Sequence, residues 1–470
     1  MRIHVVKSGD TLWRISQMYG ISINQIAAAN GLDNPNQLVL GEALVIPAPY
    51  QQYIVQRGDT LWAIAQRLGV TMQEIINANQ LTDPTKIYVG QVLTIPILYH
   101  TVQSGETLSA IASRYGTTVS AIVQANQIQN AAMIYVGQRL RIPEAPKPVI
   151  EVNAYVTDMG TTGANIVAPL TSYFTYVSPF SHSVGEDGSI AALNDEAIIR
   201  TARERNTAPL LVITNFVGNK FSAERAALIL GTPELQDKLI DNILTMLKQK
   251  GYAGVNIDFE YVNPGDRENY NNFLRKVVAR LRPQGYSVST ALAPKITAGQ
   301  KGQLYEAHDY AAHGEIVDFV VIMTYEWGWI GGRPWAVAPI SEVRKVLNYA
   351  VTEIPRNKIV MGVPLYGYDW KIPWVQGTLA RIISPKEAVN IAAKYGVAIS
   401  FDETYQSPYF RYVDETGQQH EVWFEDARSM QAKYDTVKAY KLRGISYWVL
   451  GNPFPQNWLV QAANFTVKKV

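Results

Sequence analysis

Cysteine is absent from the 470 residues, which removes disulfides, thiolate nucleophiles and Cys-based metal sites together. Histidine is scarce: six scattered copies leave little to hold zinc, and no metal or organic cofactor is expected. No apolar run reaches the roughly 18 residues of a membrane-spanning helix, so no membrane span is expected. The amino terminus, Met1-Arg2-Ile3-His4-Val5-Val6, enters a polar turn at once, so no signal peptide is visible. Charge of either sign is not in excess. Against 42 Lys and Arg stand 40 Asp and Glu, a net of +2, too little to gather nucleic acid or anionic lipid.

Apolar and aromatic side chains are plentiful instead. Hydrophobic residues make up 47% and charged residues 17%, which suffices for cores and argues against disorder. A chain of this length should hold about two to four domains. The 27 Tyr and 10 Trp supply broad faces with polar tips, a surface suited to sugars.

The first third of the chain repeats itself. Val6-Lys7-Ser8-Gly9-Asp10-Thr11-Leu12-Trp13 returns as Val55-Gln56-Arg57-Gly58-Asp59-Thr60-Leu61-Trp62 and as Val102-Gln103-Ser104-Gly105-Glu106-Thr107-Leu108-Ser109. Each copy continues into an Ala-Asn pair (Asn30, Asn79, Asn126) and closes on Gly-x-x-Leu-x-Ile-Pro. A short β run, two capped helices and a closing β run give each unit a β-α-α-β order. Ser22 with Gln25 and Thr71 with Glu74 form capping boxes at the second helix; the third copy keeps Thr118 but has Ala121 at the reciprocal position.

These motifs closely resemble the LysM module, in units spanning 1–48, 51–97 and 99–144. The resemblance implies binding of N-acetylglucosamine-containing glycan, peptidoglycan or chitin, with Gly9, Asp10, Thr11, Gly58, Asp59, Thr60, Gly105, Glu106 and Thr107 at the groove. The alternative for each is a capped turn that merely folds the module. Three linked weak sites could raise avidity by about 10² to 10⁴.

After a Pro-rich linker at 145–149, short apolar runs alternate with amphipathic helical stretches from residue 150 to 470. Eight runs are counted: 152–156, 174–180, 210–216, 255–261, 287–293, 319–325, 359–365 and 445–450. Eight βα units predict an α/β fold, a TIM barrel, with a small α+β insertion at about 369–443 in the overlong gap between the last two runs. In the fourth run, strand alternation puts Asn256, Asp258 and Glu260 on one face. Two carboxyls pointing into a barrel that normally holds branched apolar residues point to chemistry rather than packing.

This segment resembles the D-G-x-D-x-D-x-E signature of family 18 glycoside hydrolases, the chitinase family. Met323-Thr324-Tyr325-Glu326 is similar to the family's sixth-strand motif, residues 361–367 to its seventh strand, and Tyr447-Trp448 to the tryptophan that floors the cleavage subsite. The resemblance implies substrate-assisted retaining catalysis: the 2-acetamido oxygen of the sugar attacks its own anomeric carbon. Glu260 would be the general acid and base, Asp258 would orient the acetamide, and Tyr325 would hydrogen-bond its oxygen. Asn256 stands where the family usually has an aspartate; it can hydrogen-bond Asp258 but cannot share a proton with it as a second carboxyl could. Glu326 likewise replaces an aspartate.

Met323, Tyr155, Tyr366 and Trp448 are further substrate-lining candidates, and Trp327 and Trp329, in a Gly-rich loop with Trp335, are read as sugar-stacking residues. LysM repeats joined to such a barrel resemble the spore cortex-fragment lytic N-acetylglucosaminidases. That resemblance implies peptidoglycan or cortex muropeptides as partners, and a place in the spore coat, cortex or cell wall. Muramic lactam, with its amide tied back, could not supply the attacking oxygen, so cleavage should follow N-acetylglucosamine. The alternatives are a chitinase acting on chitin oligosaccharides and a non-catalytic glycan-binding coat protein.

Overall fold

The computed structural model describes all residues except 48, 49, 69, 80, 82, 84 and 144–146. The side chain of Glu74 in the second expected capping box, and residues 145 and 146 of the expected linker, lie outside the described residues. The chain divides into two compact units: Met1–His4 with Thr11–Asn30 and Val45–Pro148, and Val5–Asp10 with Gly31–Leu44 and Val149–Val470.

Each repeat has two eight-residue helices, Leu61–Leu68 and Met72–Asn79 in the second copy, and in the second and third copies an antiparallel strand pair closes the module, Tyr50–Ile54 with Val92–Pro96 and Leu98–Thr101 with Arg139–Ile142. The Asn of every Ala-Asn pair stitches its helix to the closing strand. Asn79 donates from Nδ2 to the Ile75 and Thr94 carbonyls and accepts from the Thr94 N–H, and Asn30 and Asn126 repeat the pattern. An amide satisfied three times over, buried in the first copy and half-buried in the other two, explains why the motif recurs. The Ser22–Gln25 capping box forms, and Thr118 caps the Ala121 N–H without a reciprocal partner.

The second unit contains all eight expected barrel strands: β1 (Val149–Val156), β2 (Tyr176–Pro179), β3 (Ala208–Thr214), β4 (Gly254–Asp258), β5 (Ser287–Leu292), β6 (Phe319–Ile322), β7 (Ile359–Pro364) and β8 (Gly444–Trp448). All pair in parallel in that order, and β8 closes on β1. Outer helices follow from local signals. Pro233–Lys250 opens with Pro and Glu, buries Leu239, Ile240, Ile243 and Leu247 on one stripe, and stops at Gly251 with φ 76.

The barrel interior is layered. Its lower end is plugged by Tyr176 stacked on Phe319, centroids 5.6 Å apart, and by Glu151 held by Arg443 at 2.7 Å and Lys468 at 2.8 Å. Above lies a polar layer in which Asn153 accepts from Ser178 and donates to Ser446. The insertion is a five-stranded antiparallel sheet carrying the helix Pro385–Tyr395. Its core of Ile383, Ile399, Phe410 and Val422 includes Val39, from the Gly31–Leu44 segment of the same unit.

Two strands stop a full three residues short of their apolar runs, more than any other. β4 stops at Asp258 rather than Tyr261, since β3 supplies no partner beyond Thr214, opposite Asp258. β6 stops at Ile322 because the chain curls: the Thr324 and Tyr325 N–H groups bond back to the carbonyls of Ile322 and Met323, two residues earlier. That curl carries Tyr325 and Glu326 onto the carboxyl-end mouth, where barrel sites form.

Candidate active site

β4 places Asn256 and Asp258 inside the barrel and leads to Glu260 at its rim. Asp258 is 4% exposed, and its Oδ1 has no hydrogen-bond partner among the described residues. Desolvation pushes its carboxyl up to about 7. Glu260 is half-buried, and desolvation first, then the Asp258 charge, pushes it well above the ordinary carboxylate range. The two carboxyls form a coupled pair that releases protons in two macroscopic steps. An unpaired buried carboxylate oxygen costs stability, so the geometry keeps an acceptor in reserve.

The hydrogen bond that Asn256 could give Asp258 is not formed among the described residues. Both ends of the Asn256 amide are taken: Oδ1 accepts from the Tyr155 hydroxyl at 2.9 Å, and Nδ2 donates to Ser289 Oγ at 3.0 Å. Asn256 thereby supports a wall. Tyr155 meets Trp448 edge-on with centroids 5.5 Å apart, and Trp448 meets Phe180 at 4.8 Å. Trp448 itself stays half-exposed.

Across the mouth, the Tyr325 hydroxyl has no partner among the described residues, and desolvation holds it protonated as a donor. Its ring lies against Gly362 of β7, where an added Cβ would come within 2.7 Å of the ring. Glu326, at φ 68, accepts from the hydroxyls of Tyr366 and Tyr368, the latter at 2.9 Å. Desolvation raises its carboxyl, while the hydrogen bonds from Tyr366 and Tyr368 pull it back. Met323 is half-buried. A protonated acid, a free carboxylate oxygen for an N–H and a free phenol for a carbonyl share one mouth. That set can protonate a leaving oxygen while it grips a secondary amide.

A glycosyl hydrolases family 18 model matches residues 151–452, and a LysM domain model matches at 4–47, 53–96 and 100–143. The chain belongs to glycosyl hydrolases family 18. It is 46% identical over 474 residues to the cortical fragment-lytic enzyme of Bacillus subtilis (strain 168), covering 100% of this chain and 99% of that protein. The crystal structure of the Bacillus megaterium QM B1551 spore cortex-lytic enzyme SleL superposes with a TM-score of 0.78 at 40% identity, covering 100% of this chain and 99% of that one. A chitinase from Chromobacterium violaceum ATCC 12472 matches at 25% identity and TM-score 0.62, over 67% of this chain and 99% of its own.

As a family 18 glycoside hydrolase, the chain adds residues that sequence reasoning missed. Tyr368 shares Glu326 with Tyr366, and the Tyr-Gly-Tyr spacing was the available signal. Ser289, Asn215 and His308 carried no local signal. Trp329 is 49% exposed, with its indole laid over Gly331 and Gly332, where a Cβ would meet the ring at 2.6 and 2.4 Å. Trp327 is half-buried, and Trp335 packs on Tyr405.

The LysM loop residues have structural duties. Thr11, Thr60 and Thr107 cap helices through the N–H groups of Arg14, Ala63 and Ala110. Asp10, Asp59 and Glu106 accept from the N–H groups of Lys7, Gln56 and Gln103 and so close the preceding turn. Gly9, Gly58 and Gly105 take φ of 84, 89 and 79 in that turn. Asp59 is also held by Tyr53 and Arg67.

Proposed function

We propose that the chain hydrolyses the glucosaminyl bond of peptidoglycan, cutting spore cortex fragments after N-acetylglucosamine with net retention. The unpaired Asp258 Oδ1 beside a rim carboxyl held protonated carries this reading. Glu260 gives its proton to the glycosidic oxygen as the bond from that oxygen to the anomeric carbon breaks. The acetamide oxygen of the same sugar bonds to that carbon, forming an oxazolinium ring. Asp258 accepts its N–H and balances its positive charge, and Tyr325 donates to the acetamide oxygen. Glu260, now a carboxylate, takes a proton from water, whose oxygen attacks the anomeric carbon and opens the ring.

The relatives' names support cortex as the substrate, and the LysM matches support peptidoglycan glycan as the partner and a cell-wall location. Gly9, Asp10 and Thr11, with their counterparts in the other repeats, are proposed to present the groove through backbone groups, since their side chains already serve the fold.

The test is digestion of cortex muropeptides and of chitin with wild type and Glu260→Gln, reading the new reducing ends by mass spectrometry. N-acetylglucosamine ends from cortex are expected, with a rate loss of at least about 10³-fold in the variant. Muramic ends would refute the bond assignment. Preferential release from chitin would favour a chitinase, and no products from either substrate a binding protein.

A further inference from the structure

Strand pairing stops short of the acid. Asp258 is the last β4 residue opposite β3, and Ile257 the last opposite β5. Phe259 and Glu260 therefore have no ladder partner, although Phe259 is fully buried. Two side chains from distant parts of the barrel take the place of neighbouring strands. Asn215, just after β3 and fully buried, accepts the Glu260 N–H at Oδ1 (3.0 Å) and donates from Nδ2 to the Glu260 carbonyl (2.8 Å) and to that of Ser222 (2.9 Å).

On the opposite side, His308 bonds the Phe259 carbonyl through Nε2 at 2.9 Å, while its Nδ1 accepts the Ala293 N–H at 2.8 Å. An N–H pointing at Nδ1 dictates the tautomer: the ring proton must sit on Nε2, where it donates to Phe259. Burial pushes His308 down to about 4, which keeps the ring neutral, and Lys295 Nζ donates to its carbonyl. Directly after Glu260 the chain turns away, with Tyr261 at φ 54. The clamp thus holds the main chain at the last point before it leaves the barrel.

We infer that Asn215 and His308 are positioning residues that jointly fix the main chain beneath Glu260 and so set where its carboxyl stands relative to Asp258. This rests on the reading of Glu260 as the acid. Backbone freedom there would let the carboxyl swing towards water, misplacing the proton donor and releasing it from the site that keeps it protonated. Of the groups that feel the Glu260 charge, Tyr155, Tyr325, Tyr261 and Tyr270 stay neutral, which leaves Asp258 as its titrating partner.

The test compares Asn215→Ala, His308→Phe, His308→Gln and Glu260→Gln in the full chain, on soluble cortex muropeptides across pH, with thermal unfolding alongside. Asn215→Ala and His308→Phe should lower kcat by about 10- to 100-fold at little-changed KM and move the alkaline limb of the kcat profile to lower pH. His308→Gln, which can offer both an acceptor and a donor, should recover much of kcat and return the limb. Should Asn215→Ala fail to fold, His308→Phe read against His308→Gln keeps the clamp testable from its other side. Wild-type kcat and limb in the clamp variants, beside an inactive Glu260→Gln, would overturn the clamp and leave the acid assignment standing. Loss of rate with an unmoved limb and no rescue by glutamine would reduce the pair to packing and equally overturn it. An active Glu260→Gln would remove the acid assignment itself.

Discussion

Asp258 lowers the stability of the fold it serves. Its folded pKa is raised, so the stability that depends on it is complete below the unfolded value of about 4 and is lost as pH rises through about 7. Asparagine has the same shape without the charge. Asp258→Asn should therefore leave the unfolding midpoint unchanged near pH 4 and raise it at pH 8 to 9, by the order of 2 °C, while abolishing turnover. Calorimetry across pH reads the difference. An equal midpoint at both ends would mean that the carboxylate is not desolvated as its surroundings require.

At the scale of elements, the three repeats close alike but use that closure differently. Gln91 and Gln138 accept the N–H groups of Tyr88 and Tyr135 through Oε1, and those tyrosines are 67% and 63% exposed. The first copy has Glu42 instead, accepting the Val39 N–H at 3.1 Å, and Val39 is buried in the insertion core of its own unit. Gly41 reaches so close to Ile399 that a Cβ would meet its carbonyl oxygen at 1.9 Å, whereas one on Gly90 or Gly137 would meet nothing. Burial pushes Glu42 up to about 7, and its Oε1 has no partner among the described residues. The sign matches that of Asp258: stability falls as pH rises through about 7. Glu42→Gln keeps the hydrogen bond and removes the charge, so it should raise the midpoint at pH 8 by the order of 2 °C and change nothing near pH 4, as read by thermal denaturation.

At the scale of the molecule, the second unit is discontinuous in sequence, taking Val5–Asp10 and Gly31–Leu44 along with the barrel. Within it, Lys386 pairs with Asp33 at 2.6 Å, and Arg428 donates to the Gly41 carbonyl at 3.1 Å. Exposed pairs of this kind contribute little, whereas burial of Val39 contributes about 1.5–3 kcal/mol. A chain beginning at Val149 would uncover the apolar insertion core. It should unfold at least about 2 °C below the full chain and bind a hydrophobic dye that the full chain does not; equal midpoints would mean that the early segment adds no stability.

Local patterns carried much of this protein on their own. The repeat period, the eight apolar runs and the i, i+2 placing of Asn256 and Asp258 are properties of neighbouring residues, and backbone geometry converts them directly into helices, strands and a shared face. The repeated Asn was legible as a motif, but its stitching role was not. Tertiary structure alone decided that Asn256 serves Tyr155 and Ser289, that Tyr368 joins Tyr366 on Glu326, and that β4 ends before Glu260. The same holds for the clamp, in which Asn215 and His308 stand in for missing strand neighbours. Each of these joins residues far apart in the chain through hydrogen bonds, and no period along the sequence records such a pairing until the barrel has closed.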